Sequence, residues 1–211
     1  MRTLPLADEF FLVGHDEYTG KPQVSGVALD SGLAGAVLGE LLLDGRLGVE
    51  DGVVVVRERR GIAERVSDAA LGEIIKHRDP RPVRGWVEHL RREVRDMVGR
   101  RLVEEGLVRR QRTRGLVRTS LRFPARDPLA AASPRVRLRY LLDHPEQVDT
   151  PTAVLAALVA STRLEHVLAV ESTRAARETI AELARDLPAG LSALAKGVDA
   201  AVGTVTLTIR R

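Results

Sequence analysis

Twelve arginines lie between Arg91 and Arg126, against four acids: Glu93, Asp96, Glu104 and Glu105. A guanidinium is a planar fork of N–H donors that stays charged at physiological pH. Two such forks aimed at one place hold a phosphate well. The chemistry on offer is therefore anion recognition, directed at a lipid head group or a nucleic-acid backbone. Val87, Leu90, Val94, Met97, Val98 and Leu102 recur here at helical spacing. At about 100° per residue, Arg92 and Arg95 fall about 60° apart beside that apolar stripe. Their guanidinium groups could converge on one phosphate, and Arg91, one turn before Arg95, adds a third charge. The plainer alternative is a solvated amphipathic helix in which Glu93 and Asp96 neutralise the arginines locally.

Other chemistries lack their residues. His15, His77, His89, His144 and His166 are scattered, with no His-x-x-x-His or Glu-x-x-His pair, and there is no cysteine. No metal site is expected. No Gly-x-Ser-x-Gly elbow and no Gly-Lys-Ser/Thr phosphate loop occurs. The loop "HDEYTGK" groups His15, Asp16, Glu17 and Tyr18, and reads as solvated because nothing completes a site around it. Gly35 and Gly39, four apart in "GLAGAVLGE", read as close helix packing. No catalytic residue and no cofactor are expected.

At 211 residues and 44% hydrophobic, the chain can bury a real core within one domain. Aromatics are 3%, so the core must be Leu, Val and Ala, which favours packed helices over a large sheet. Thirty of the 33 basic residues are arginine, and the net charge is +4. The absence of cysteine fits a reducing cytoplasm. By sequence, no apolar run is expected to approach the roughly 20 residues that span a bilayer. The early acids and missing cleavage site argue against a signal peptide. A cytoplasmic protein, at most peripheral to a membrane, is expected.

The elements that must position the arginines follow from turn and cap signals. "LPLADEFFLVG" predicts a short helix ending at Gly14. "LDSGLAGAVLGELLLDGRL" predicts a helix capped by Asp30 or Ser31 and closed by Gly45. A hairpin follows, from Arg46 to Val49 and Val53 to Arg57, through Asp51-Gly52. A helix capped by Ser67 or Asp68 stops before Pro80. One long helix then runs from Val83 to Gly106. "LVRRQRTRGLVRTSLRF" predicts a second hairpin with a basic face, its tip near Gly115, and Arg114, Leu116, Val117 and Arg118 at that tip. Helices are expected near 133–143, 151–162, 171–186 and 189–202. Residues 203–211 read as an extended or disordered tail. The expected fold is mainly α: a single helical domain over 1–202, a central bundle surrounded by amphipathic helices, and two short β-hairpins.

Taken in order, "LADEFFLVGHDEYTG", "SGLAGAVLGELLLDGRL", "GWVEHL" and "REVRDMVGRRLVEEGLV" with its basic hairpin resemble the Golgi phosphoprotein family, in a bacterial form. That family binds phosphatidylinositol 4-phosphate at membranes and sorts Golgi enzymes. The resemblance implies a head-group site at Arg92 and Arg95. It places Ala34 where the family has a further arginine, and Ser25 near a family tryptophan. It implies self-association through the hairpin at 107–123, and leaves any protein cargo unidentified.

A basic side chain near an anionic surface contributes on the order of 1 kcal/mol, so three arginines give only weak attachment without a pocket, a dimer or an inserted apolar residue. Two other readings stay open. "RRLVEEGLVRRQRTRGLVRTSLRF" also has the pattern of a helix, strand and basic wing, as in winged-helix DNA-binding proteins. Nucleic acid is the less favoured partner, because the preceding helix lacks outward base-reading residues in its first turns. An enzyme is the third reading, disfavoured by the lack of converging groups.

Overall fold

The structure is a computed structural model that describes residues 4–77, 79–114, 119–168 and 173–208. Helix α1 spans Leu6–Val13 and ends at Gly14, as its sequence predicts, and every residue of it is buried. Helix α2, Gly26–Leu43, is apolar on all sides and forms the centre of the bundle. Its cap is Ser25, whose hydroxyl accepts from the Ala28 N–H at 3.3 Å. The expected caps Asp30 and Ser31 instead lie inside the helix, because the chain enters it one turn earlier than their side chains suggest. Gly35 and Gly39 do serve packing. A Cβ on Gly35 would lie 2.9 Å from Leu158, and one on Gly39 2.9 Å from Leu6. At 18 residues α2 is long and apolar enough to cross a membrane, contrary to the sequence reading, but 72% of that window is buried inside the protein. Core burial accounts for its apolarity.

Strands β1 (Leu47–Glu50) and β2 (Val53–Val56) form the first hairpin, with Gly48 opposite Val55. Asp51 and Gly52 both take positive φ, 50° and 78°, as a two-residue primed turn requires. Helix α3 is Arg65–Lys76. Its cap is the Glu64 carboxylate, which accepts from the Val66 and Ser67 amides, so neither Ser67 nor Asp68 caps it. Ser67 is fully buried and spends its hydroxyl elsewhere.

The long helix expected from Val83 is two helices, α4 (Val83–Leu90) and α5 (Val94–Glu104). Residues Arg91, Arg92 and Glu93 form turns between them. The break lets α4 lie along α2 and the C-terminal helix while α5 turns onto α1, α2 and α3. A straight rod could not reach all of these. Local sequence does not reveal the break, because the apolar spacing stays helical across it.

Strands β3 (Gln111–Arg114) and β4 (Thr119–Arg122) form the second hairpin. Residues Leu116, Val117 and Arg118 of its expected tip lie outside the described residues, as does the Arg114 side chain. Gln111 pairs with Arg122 and Arg112 with Leu121, so the arginines divide between the two faces of the ribbon. Helices α6 (Pro128–Ala131), α7 (Ser133–Asp143), α8 (Thr150–Ser161), α9 (Thr173–Arg185) and α10 (Ala189–Thr208) complete the domain, with 3-10 turns at Pro145–Gln147 and Glu165–Leu168. The backbone of α10 stays helical to Thr208, where the sequence predicts an extended tail from 203 onward. The β propensity of "TVTLT" is overridden by helix continuation. The protein is mainly helical, with α1, α8 and α10 packed around α2.

Candidate anion-binding site

The N-terminus of α2 faces the start of α5. Arg95 crosses between them. Its Nε donates to Asp30 Oδ1 at 2.5 Å and its Nη2 donates to the Gly26 carbonyl at 2.8 Å. Gly26 permits the approach, since a Cβ there would lie 3.2 Å from Arg95 Nη2. The pair is half-buried, with the Arg95 and Asp30 side chains 30% and 24% exposed. Burial raises the Asp30 carboxyl above the usual range, opposed by Arg95 and by the charge of Arg91.

Arg91, at the C-cap of α4, thus acts on the same carboxylate as Arg95. Its Nη1 is buried with no hydrogen-bond partner among the described residues. The amides of Gly26 and Val27, in the open first turn of α2, also lack a partner there. The location therefore combines the Arg95 guanidinium, the charge of Arg91 and the positive end of an 18-residue helix.

Arg92 lies within the break in an exposed position, in a cleft of about 470 Å³ with Ala69, Glu73, His89, Glu93 and Met97. Ser25 is at the site, as the α2 cap. Ala34 is fully buried two turns further along α2 and offers a methyl group to the core.

Two side chains central to the local electrostatics escape sequence reasoning. Asp30 reads there only as a cap. Arg101 counts there among the anion-facing arginines, yet it is 8% exposed. Arg101 pairs with Asp8 of α1 and with Glu64 before α3. Burial pushes the Asp8 carboxyl up to about 6 in spite of Arg101. Glu40 lies in the same buried group, raised by burial, and accepts from the Ala7 amide at 2.8 Å and from the Ser67 hydroxyl. The available signal is the pair of acids, Asp8 and Glu9, inside an otherwise apolar helix.

His15 is not solvated as its loop suggests. It is 4% exposed, stacked on Phe11 at 4.0 Å, with Nδ1 2.8 Å from the Phe11 carbonyl. Burial lowers its pKa to about 4. The rest of the loop is pinned. Asp16 accepts from the Thr19 amide and hydroxyl at 2.7 Å, and these bonds lower its pKa. The Glu17 carbonyl accepts from the Ala125 amide at 2.9 Å, beside the second hairpin. Glu17 also pairs with Arg135 of α7 at 2.5 Å. Among the described residues no group of three or more His, Asp or Glu side chains is placed to hold a metal.

A family model described as Golgi phosphoprotein 3 (GPP34) matches residues 6–205. No curated protein matches the chain.

Proposed function

The chain belongs to the Golgi phosphoprotein 3 (GPP34) family, a lipid-binding and adaptor family without enzymatic activity, and from that premise we propose that it is a peripheral membrane protein that holds acidic phospholipid head groups at the N-terminus of α2. The supporting observations are Arg95 bonded to the Gly26 carbonyl beside two open helix amides, and the charge of Arg91 acting on the same Asp30 carboxylate. A phosphate monoester carries the charge and acceptor geometry that such a place rewards. Arg91 supplies the charge that position 34, a buried alanine, does not. Arg92 adds attraction at longer range from the neighbouring cleft.

Asp30 tempers this site. A head group must share or displace a carboxylate already bound to Arg95. The expected result is modest affinity and a general preference for anionic lipid over one phosphoinositide. The second hairpin, residues 107–123, is the proposed element of self-association, and any cargo protein would add to the membrane attachment.

The test is flotation with neutral, generally anionic and phosphatidylinositol 4-phosphate vesicles, at low and physiological salt. Binding to both acidic kinds, fading with salt, is the expected result. Selective capture by the phosphoinositide would assign a specific pocket. No vesicle binding, with retention on duplex DNA, would favour the winged-helix reading instead.

A further inference from the structure

Few large apolar side chains stand exposed among the described residues, and three of them lie on one helical stretch. Leu129 on α6 is 85% exposed; Val136 and Tyr140 on α7 are 63% and 51% exposed. Ala132, between the two helices, keeps helical torsions (φ −75°, ψ −13°). The Ala132 amide donates to Pro128 and the Val136 amide to Ala132, both at 3.0 Å, so a single turn residue of helical conformation joins the two helices. At about 100° per residue the three side chains then fall within about 40° of one another. Core packing does not explain them, because α7 buries a different face through Pro134, Leu138 and Leu141.

The flanks of this stripe are basic. Arg139 on one side is exposed and has no ion-pair partner among the described residues. Arg135 lies on that side too, and Arg137 on the other, each bound to one acid. The exposed acids stand at the two ends, Asp127 as the cap of α6, accepting from the Leu129 amide at 3.0 Å, and Asp143 and Glu146 at the C-terminal end. Tyr140 leans toward that polar end, its hydroxyl donating to Gln147 at 3.2 Å. An apolar stripe bordered by arginines, with a tyrosine at its wet end, matches the boundary between acyl chains and anionic head groups.

The chain also links the stripe to the proposed head-group site. The segment from Glu17 to Gly26 joins Arg135 at one end to Arg95 at the other. Tyr18, 70% exposed, follows Glu17 in that segment. The patch is three side chains wide, far below the roughly 800 Å² per partner of a standard protein interface.

We propose that Leu129, Val136 and Tyr140 form a shallow membrane-insertion face, which enters an anionic bilayer while the α2 site holds the head groups. The inference rests on the membrane reading above. It assigns to α6–α7 the apolar contribution that three arginines alone lack.

The test uses Val136→Trp in the full chain, read against the wild type, whose only tryptophan, Trp86, is buried at 2% exposure. Vesicles of phosphatidylcholine with phosphatidylserine are added, plain or brominated on the upper acyl carbons. The expected result is a blue shift on vesicle addition and quenching by the brominated lipid. Leu129→Ser with Val136→Ser should weaken vesicle partition at least roughly tenfold with helicity unchanged, since each apolar side chain kept from water is worth about that much. Vesicle binding with an unshifted, unquenched signal from the introduced indole overturns the insertion face and leaves the head-group reading standing. Absence of wild-type vesicle binding removes both. A blue shift without vesicles that grows with protein concentration overturns the proposal in favour of a second copy on this face.

Discussion

Arg95 Nε sits 2.5 Å from Asp30 Oδ1, so the proposed lipid-binding arginine is already bound to a carboxylate of its own chain, 65 residues earlier. The pair is partly shielded, and the cation is shared with the Gly26 carbonyl. Asp30 is therefore an internal competitor for any phosphate.

Asp30→Asn should tighten binding to anionic vesicles by roughly fivefold, the equivalent of about 1 kcal/mol for a partly exposed pair. The wild type should also bind better as pH falls, because burial raises the Asp30 pKa and protonation releases Arg95. The variant should lose that component of the pH response. Vesicle titration at two pH values checks both, and an unaltered affinity in Asp30→Asn would place the contact elsewhere.

Arg91 and Arg92 are neighbours in sequence but face different surroundings. Arg91→Gln should weaken vesicle binding more than Arg92→Gln, because the charge of Arg91 acts on Asp30 whereas Arg92 lies in the cleft with Glu73 and Glu93. The expected gap is several-fold, about 1 kcal/mol per charge at the surface. Flotation at fixed salt reads it, and equal losses would indicate a diffuse field rather than a site.

Arg101→Met should destabilise the fold by about 3–5 kcal/mol, since Asp8 and Glu64 lose the cation that compensates them. Urea denaturation measures the loss. Adding Asp8→Asn should recover part of it, which a simple packing defect would not allow.

His15 makes stability depend on pH. Its folded pKa, about 4, lies below the ordinary value of 6.5, so protons bind the unfolded chain first. Its contribution is complete above pH 6.5 and falls as the pH drops toward 4, by up to about 3 kcal/mol. Asp8, with its raised pKa, acts in the opposite direction, being favoured by protonation as pH falls through about 6. The stability difference between wild type and His15→Gln isolates the histidine, and should narrow between pH 6.5 and 4.

The sequence by itself determined the elements whose signals are local. Helical periodicity placed α1, α2, α3 and α8. Asp51-Gly52 fixed the first hairpin to within a residue, because few residues accept two successive positive φ angles. The family resemblance came from the order of such segments. Tertiary structure alone decided the rest. The break at 91–93 leaves no mark in the apolar spacing, since its cause is the competing demand of α10 and α1 on either side of α2. In sequence Asp30 reads as a cap and Arg95 as a phosphate ligand, and nothing pairs Asp8 with Arg101. They become an internal lock and a buried pair only when helices distant in the chain meet, because desolvation and partner geometry belong to the packed state.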